Sequence, residues 1–387
     1  MVTTVARGRY RGHMGMTLPL SRGILDSVPT ARETVDPLTL LLEGPVALDG
    51  VVEGPVTGVS AFLLDPTGRL AVLAPTGGHT AVRREGAAVR ADADTPFATI
   101  PADEGDPDPR RGALGAGHGH GDGTVSLWHP EPRAAVALAE GTNAAMLIGR
   151  TRDGVVHVAV RVADPVERPG ITWANLRWCA HLLPDDESAL ACEAVALVQW
   201  HRQASFCQRC GSRVETTSAG WTTTCPACGT IEYPRQDPAV IMAVVDEEDR
   251  VLLAHNSAWR PGFWSVLAGF VEAGEAPDRA VRREVLEEVG LEVGEVRFLG
   301  AQPWPFPRSL MVGYSARLAP GSAAEVHVDG VEIDRARFFT REELGEEISA
   351  GRLEPPGPTA IARAMVEEWY GGPLPESPRR IDPLRQA

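Results

Sequence analysis

Three glutamates stand at helical spacing in the C-terminal half of the chain. Glu284, Glu287 and Glu288 occupy positions i, i+3 and i+4, so they share one face of a helix. Pro277 suits the first turn of that helix, and Gly290 suits the position just after its last residue. Carboxylates this close repel one another, and Mg²⁺ prefers a few carboxylates together with phosphate oxygens. The spacing therefore predicts a divalent cation site; the alternative is a solvated helix of mixed charge.

Four of the six cysteines form two close pairs. Cys207 and Cys210 are separated by fourteen residues from Cys225 and Cys228. Thiolates at this spacing can close a tetrahedral shell around Zn²⁺ and leave no position for water, so we expect a structural site. The alternatives are four free thiols or two disulfides. A ribbon of this kind can bind nucleic acid, but residues 214–224 lack a basic cluster.

A third motif alternates prolines with aromatic residues over positions 302–309, with the sequence QPWPFPRS. Proline fixes the backbone and stiffens such a loop, and the aromatic faces of Trp304 and Phe306 can then stack on a ligand. Gln302 and Arg308 add polar groups. The alternative is a proline-rich surface loop or a ligand for a partner protein.

The elements that must position these residues can be outlined from the apolar pattern. Apolar runs at 238–246 and 251–255 predict strands that precede the acidic helix. Residues 35–165 predict short strands, among them LTLLLEG at 38–44. Helical periodicity from 172 to 204 is interrupted near Pro184. Residues 101–124 predict a loop whose histidines, His118 and His120, are more typical of a solvated segment than of a metal site.

The chain has 387 residues, so two or three domains are expected. We predict an α+β multidomain protein with a disordered tail at 1–34, a β-rich domain with a helical connector at 35–204, a ribbon at 205–232, a catalytic domain at 233–372 and a second tail at 373–387.

Composition excludes several classes of protein. The net charge of −15 argues against broad electrostatic binding to nucleic acid or an anionic membrane. No apolar run approaches the length of a membrane span, and the N-terminus makes a poor signal peptide. Cys179 and Cys192 stand apart from the pairs and are expected to be buried. This cysteine usage fits a reducing cytoplasm.

Residues 269–291 fill every fixed position of one long signature: Gly, five residues, Glu, seven residues and then REVLEEVGL. This segment resembles the box of the Nudix hydrolases. The cysteine ribbon, the Tyr-Pro-Arg segment at 233–235 and the loop at 302–309 accompany the box in the order found in the NADH pyrophosphatase subfamily. The resemblance covers about residues 172–370 and implies an α/β/α sandwich with a mixed sheet for the catalytic domain.

The resemblance implies hydrolysis of NADH and NAD⁺ to nicotinamide mononucleotide and AMP, and removal of NAD caps from RNA 5′ ends is a second implied activity. It also implies Mg²⁺ or Mn²⁺ for catalysis, one structural Zn²⁺ and a homodimer. The alternatives are a Nudix hydrolase that prefers ADP-ribose or dinucleoside polyphosphates, and a non-catalytic nucleotide or RNA-binding regulator.

Carried over by motif, the implied ligands of the catalytic metal are Glu284, Glu288, Glu332 and the carbonyl of Ala268. Glu287 and Glu288 are both candidates for the general base, and Arg283 is expected to orient a glutamate. Phe270 and Trp304 are candidates to stack on a base, with core packing as the alternative. The implied substrate contacts are Arg177, Tyr233, Phe270, Gln302, Pro303, Trp304, Pro305, Phe306, Pro307, Arg308, Ser309 and Ala362. Two residues depart mildly from the family pattern, Ala301 and Phe338.

Overall fold

The computed structural model describes residues 18, 20, 25–48, 51–73, 125–141, 143–378 and 384. His118 and His120 lie outside these residues. None of the helices in the described part of the chain has the length and apolar character needed to cross a membrane.

The N-terminal domain is built on a six-stranded sheet. Its strands are β1 (Gly58–Leu64), β2 (Leu70–Leu73), β3 (Ser126–Leu127), β4 (Ala145–Arg150), β5 (Val155–Arg161) and β6 (Ile171–Ala174). They are arranged in the order β3-β2-β1-β5-β4, with β6 also paired to β2. Strands β1 and β5 run parallel, and the other pairs are antiparallel.

Helices cover both faces of this sheet because apolar side chains alternate along its strands. On β1, Phe62 and Leu64 pack against the long helix α5 (Asp185–Gln203), which follows α4 (Leu176–Cys179). Ala61 and Leu63 face the opposite cluster. That cluster includes residues of three short helices, α1 (Pro29–Thr34), α2 (Pro37–Glu43) and α3 (Pro132–Leu138).

Two sequence expectations for this domain are wrong. The segment at 38–44 lies largely in helix α2 and not in a strand, because Pro37 occupies the first turn and Asp36 caps it by accepting from the Thr39 N–H at 2.7 Å. Residues 29–34 form α1 with Ala31 buried, so they are not part of a disordered tail. A proline in the first turn is common to both helices, the Asp36 cap accounts for α2, and burial of Ala31 holds α1 against the domain.

The ribbon is a three-stranded antiparallel sheet of β7 (Glu215–Thr217), β8 (Thr222–Thr224) and β9 (Ile231–Glu232). Its turn packs on the N-terminal domain through Trp221. The indole Nε1–H donates to the Leu147 carbonyl at 2.7 Å, and the Arg32 guanidinium lies 3.5 Å from the centre of a Trp221 ring. The ribbon is therefore packed against the N-terminal domain.

The C-terminal domain is an α/β/α sandwich with a mixed sheet, as predicted. Its strands are β10 (Asp237–Val245), β11 (Val251–Asn256), β12 (Leu267–Phe270), β13 (Val293–Trp304), β14 (Ser309–Leu318) and β15 (Ile333–Phe339). The strand order is β13-β14-β10-β11-β15 with β12 paired to β10, and only β10 and β14 of these strands pair in parallel. Helix α6 (Pro277–Val289) packs on one face, while α7 (Arg341–Ser349) and α8 (Ile361–Tyr370) pack on the other.

Candidate active site

Helix α6 brings the predicted glutamates to the sheet. Its apolar side chains Val281, Val285 and Val289 are buried against the strands, which fixes the rotation of the helix. Gly290 ends it in the left-handed conformation at φ 68°, which glycine adopts without steric cost. The glutamates on the adjacent face are consequently held at different depths.

Glu288 is the deepest of the three glutamates, with 5% of its surface exposed. Its Oε2 atom is buried and has no hydrogen-bond partner among the described residues. Burial and the nearby carboxylates of Glu284 and Glu332 raise the pKa of Glu288 to about 9. A buried carboxyl group with an unpaired oxygen and acidic neighbours fits a bound cation, because a cation would both pair the oxygen and offset the repulsion.

Arg283 ties together the outer acids of the site. Its guanidinium donates to Glu275 at 2.7 and 2.9 Å, to Glu284 at 2.8 Å and to Glu287 at 3.0 Å. It also donates to the carbonyl of Phe270 at 2.9 Å, which fixes the end of β12. Through these hydrogen bonds Arg283 can hold the glutamates in place, and its orienting role stays a prediction.

Gly269 leaves room for the carboxylate of Glu284. A methyl group on the α-carbon of Gly269 would overlap the carboxyl carbon and both oxygens of that side chain. The residue thus forms a cradle beside Ala268, whose carbonyl is one of the predicted metal ligands. Only glycine allows a strand and a carboxylate to approach this closely.

We predict that Gly269→Ala lowers the affinity of the site for Mn²⁺ by about 10- to 100-fold, as displacement of a ligand's support typically does. The added methyl group forces Glu284 away from the strand. Titration calorimetry with Mn²⁺ measures the effect. Gly372→Ala is the control, because a methyl group there meets no atom within 4 Å. Unchanged Mn²⁺ affinity in Gly269→Ala would show that Glu284 does not bind metal.

Glu332 is presented by a turn that Asp329 folds. The Asp329 carboxylate accepts from the backbone N–H groups of Val331, Glu332 and Ile333 at 3.3, 3.1 and 2.8 Å. Sequence reasoning missed Asp329; the Asp-Gly pair before Glu332 is the signal that predicts such a turn. The turn places Glu332 at the same cavity as Glu288.

A cavity of about 180 Å³ lies between the N-terminal and C-terminal domains. Six residues predicted from the sequence meet there: Arg177, Ala268, Glu288, Trp304, Glu332 and Ala362. The structure adds aromatic residues that the sequence did not indicate: Trp178, Trp259 and Phe263. Acidic groups therefore border a predominantly apolar and aromatic chamber, the composition typical of a site for a small-molecule ligand.

Arg177, on helix α4 of the N-terminal domain, lines this cavity. Its guanidinium lies 5.4 Å from the ring centre of Trp304 and 5.2 Å from that of Phe306. Desolvation by burial lowers its pKa to about 10, so the group is still a cation at neutral pH. Trp304 packs against the cores of both domains, which fixes the position of Arg177 relative to the acidic helix.

Several other predicted contacts lie outside the cavity lining. Gln302 is fully buried. Its side-chain amide donates to the Thr359 carbonyl at 3.0 Å and accepts from the Ile361 N–H at 2.7 Å. It therefore positions the start of α8 and does not reach the cavity, which corrects the expected substrate contact. The remaining predicted contacts that do not line the cavity are Tyr233, Phe270, Pro303, Pro305, Phe306, Pro307, Arg308 and Ser309.

These peripheral residues are placed by local contacts. Tyr233 is 58% exposed at the end of the ribbon. Arg308 pairs with Asp237 at 2.7 Å, next to the point where β10 begins to pair with β14. The Phe270 ring packs in part against the core of the C-terminal domain. None of these three residues lines the cavity.

The four paired cysteines converge in the ribbon. The sulfur atoms of Cys207, Cys210, Cys225 and Cys228 all lie within 4.8 Å of one another, so they can hold a metal ion. Gly211 and Gly229, which follow the two pairs, adopt positive φ values of 74° and 73°. Their backbone N–H groups donate hydrogen bonds to the carbonyls of Cys207 and Cys225, each at 2.9 Å. None of the six cysteines forms a disulfide bond, which does not support the disulfide alternative.

Comparisons with known proteins match this arrangement. A model of the NUDIX domain matches residues 235–362. The NAD-capped RNA hydrolase NudC of Mycobacterium bovis (strain BCG / Pasteur 1173P2) is 42% identical over 248 residues, which cover 61% of this chain and 79% of that protein. NudC of Pseudomonas aeruginosa (strain LESB58) is 36% identical over 222 residues, covering 57% and 74%.

A crystal structure of a NUDIX hydrolase from Nitrosomonas europaea is also similar. It is 27% identical, with a TM-score of 0.33, and the match covers 44% of this chain and 95% of that one.

Proposed function

The chain belongs to the NADH pyrophosphatase and NAD-capped RNA hydrolase subfamily of the Nudix hydrolases, and we propose that it hydrolyses the pyrophosphate bond of NADH and NAD⁺. The products are nicotinamide mononucleotide and AMP, and the same reaction removes NAD caps from RNA 5′ ends. The observation that carries this proposal is the buried, unpaired carboxyl oxygen of Glu288 in a cavity that also contains Arg177 and Trp304.

We propose that Glu284, Glu288, Glu332 and the carbonyl of Ala268 hold Mg²⁺ or Mn²⁺. These oxygen donors are the type that hard divalent cations prefer. When bound, such an ion neutralises charge on the diphosphate and lowers the pKa of water. The acids fit this role, because burial raises the pKa of Glu284, Glu288 and Glu332, and a bound cation would favour their ionised forms.

The protein's own residues divide the remaining tasks. Glu288 lines the cavity, whereas Glu287 has a side chain that is 59% exposed and bonded to Arg283. We therefore assign to Glu288 the acceptance of the proton from the attacking water and to Glu287 the support of Arg283. Arg177 supplies a positive charge to the anionic substrate from the opposite domain, and Trp304 and Ala362 contact the nucleotide beside it.

We further propose that the four-cysteine cluster binds one structural Zn²⁺ per chain and that the protein is a homodimer of the cytoplasm. Cysteines spaced as metal ligands fit a reducing compartment better than a disulfide framework does. Tyr233, on the exposed end of the ribbon, is proposed to contact substrate from outside the chamber.

The test is hydrolysis of NADH, NAD⁺, ADP-ribose, a dinucleoside polyphosphate and NAD-capped RNA, each with Mg²⁺ and with Mn²⁺. We expect the three NAD-containing substrates to be cleaved with the highest kcat/KM, because the cavity combines aromatic walls with a cation. Higher kcat/KM with ADP-ribose or the dinucleoside polyphosphate would overturn the substrate assignment. Nucleotide binding without any turnover would instead indicate a regulator.

A further inference from the structure

The loop that joins β11 to β12 gives the cavity two aromatic side chains, Trp259 and Phe263. Their ring centres lie 4.9 Å apart at an angle of 78°, so the edge of one ring faces the other. Both side chains are half-buried, and neither belongs to an apolar core cluster of the described residues. Core packing therefore does not explain them.

Trp264, one residue further along the chain, shows the contrast. It packs against the core of the C-terminal domain, with its ring centre 5.8 Å from that of Phe339. Burial of apolar surface accounts for a tryptophan at that position. Trp259 and Phe263 instead leave apolar surface at the cavity, where a ligand can cover it.

The loop is rigidly anchored at its base. His255 is 3% exposed; its Nδ1 lies 2.7 Å from the Asp334 carboxylate and its Nε2 lies 3.2 Å from the Arg260 carbonyl. Arg260 forms an ion pair with Glu354, whose N–H donates to the Gly262 carbonyl at 2.7 Å. A loop tied this way loses little conformational entropy on binding, so its rings are preorganised for a ligand.

The same loop is attached to the catalytic turn. The Ser257 N–H donates to the Glu332 carbonyl at 2.9 Å, and the Ser257 hydroxyl donates to the Val331 carbonyl at 2.9 Å. Asn256 also lines the cavity; its Oδ1 accepts from the Ala258 N–H at 2.9 Å, and its NH₂ group is a donor that the loop can offer to a ligand. A base held by this loop is thereby held at a fixed position relative to Glu332.

We propose that Trp259 and Phe263 form the wall on which one planar base of the dinucleotide stacks. This inference rests on the proposed function and names the side chains that recognise the base. Both nicotinamide and adenine present the flat π-face that stacking requires. The experiment distinguishes these two bases by using the two halves of the substrate separately.

The test compares Trp259→Leu and Phe263→Leu with the wild-type protein. Base–aromatic stacking energies correspond to a rise of about fivefold to a hundredfold in KM for NADH, and kcat is expected to stay within about twofold. Trp259→Phe keeps an aromatic ring and should recover most of the loss. Phe298→Leu is the matched control, because Phe298 is 45% exposed on β13 and does not line the cavity.

Titration calorimetry with nicotinamide mononucleotide and with AMP identifies the base without requiring turnover. Weaker binding of only the first in the leucine variants assigns the wall to nicotinamide, and weaker binding of only the second assigns it to adenine; either result supports the proposal. Unchanged KM and unchanged binding of both mononucleotides in folded variants would overturn it.

The two possible failures are separable. A wild-type protein that hydrolyses NADH while Trp259→Leu and Phe263→Leu leave KM unchanged rejects the aromatic wall alone. A wild-type protein that does not hydrolyse any NAD-containing substrate rejects the proposed function, and the calorimetric titrations then still decide whether Trp259 and Phe263 bind a base. Melting temperatures show whether each variant is folded.

Discussion

Glu288→Gln is expected to lower kcat for NADH by about a thousandfold, within the range measured for the loss of a catalytic acid or base. The same substitution should raise the melting temperature in buffer without Mg²⁺ or Mn²⁺. The amide has the shape of the carboxyl group, but it never carries its charge. In the proposed roles, the variant therefore loses a metal ligand and a proton acceptor, while the fold no longer contains a buried acid whose ionisation is opposed by burial and whose Oε2 has no hydrogen-bond partner among the described residues.

The stability change has a predictable pH dependence. Folding raises the pKa of Glu288 from 4.5 to about 9, so its stabilising contribution is complete below pH 4.5 and is lost as the pH rises toward 9. At pH 7 this loss is on the order of 3 kcal/mol in the metal-free protein. The melting temperature of Glu288→Gln should thus match that of the wild type near pH 4.5 and exceed it increasingly up to pH 8.

Thermal melts without added divalent cation, measured at several pH values, check this expectation. Chelators are left out because they would also remove the Zn²⁺ proposed for the cysteine cluster. Adding Mn²⁺ should raise the melting temperature of the wild type and have little effect on the variant. Glu287→Gln is the matched control: its carboxylate is exposed, and we expect at most about a tenfold loss of kcat. Near-normal turnover by Glu288→Gln would contradict the assigned role.

The acidic helix could be predicted in full from the sequence because its information is local. The spacing of Glu284, Glu287 and Glu288, the first-turn Pro277 and the terminal Gly290 lie within one short segment, and each acts through helix geometry alone. The cysteine cluster was predictable for the same reason. The mixed sheet of the C-terminal domain followed from the resemblance to Nudix hydrolases.

The walls of the cavity could not be predicted because they depend on distant contacts. Trp178 lines it only because the N-terminal domain packs against the C-terminal domain, and Trp259 and Phe263 depend on anchors contributed by Asp334 and Glu354. Gln302 illustrates the opposite error. A polar residue in a substrate motif indicated a contact, whereas its amide closes two buried backbone hydrogen bonds.

The ribbon leads to the second large expected effect, loss of its fold when one cysteine is replaced. Its strands have two or three residues each, and an apolar core is lacking in residues 205–232. The buried residues of this segment are Cys207, Gly220, Thr222, Thr223, Cys225 and Glu232. So little buried apolar surface does not offset the entropy of ordering these residues, and we therefore expect the proposed Zn²⁺ to supply much of the stabilisation of the ribbon.

Cys225→Ser is therefore expected to abolish zinc binding and to unfold the ribbon. Structural zinc contributes roughly 10–16 kcal/mol of binding free energy in small zinc-dependent folds. Because Trp221 docks the ribbon on Leu147, its loss should also expose the N-terminal domain and lower the melting temperature. Metal analysis should give one zinc per wild-type chain and none in the variant, and limited proteolysis should cut the variant within residues 205–232.

Cys192→Ala is the matched control, because this buried thiol lies in the N-terminal core and not in the metal cluster. It should retain zinc and resist cleavage within the ribbon. A Cys225→Ser protein that keeps one zinc per chain and the wild-type cleavage pattern would show that the cluster does not hold the ribbon together. Strand β10 of the catalytic domain begins a few residues after β9 of the ribbon. Unfolding of the ribbon should therefore also reduce NADH hydrolysis, although the cysteine cluster takes no part in the reaction itself.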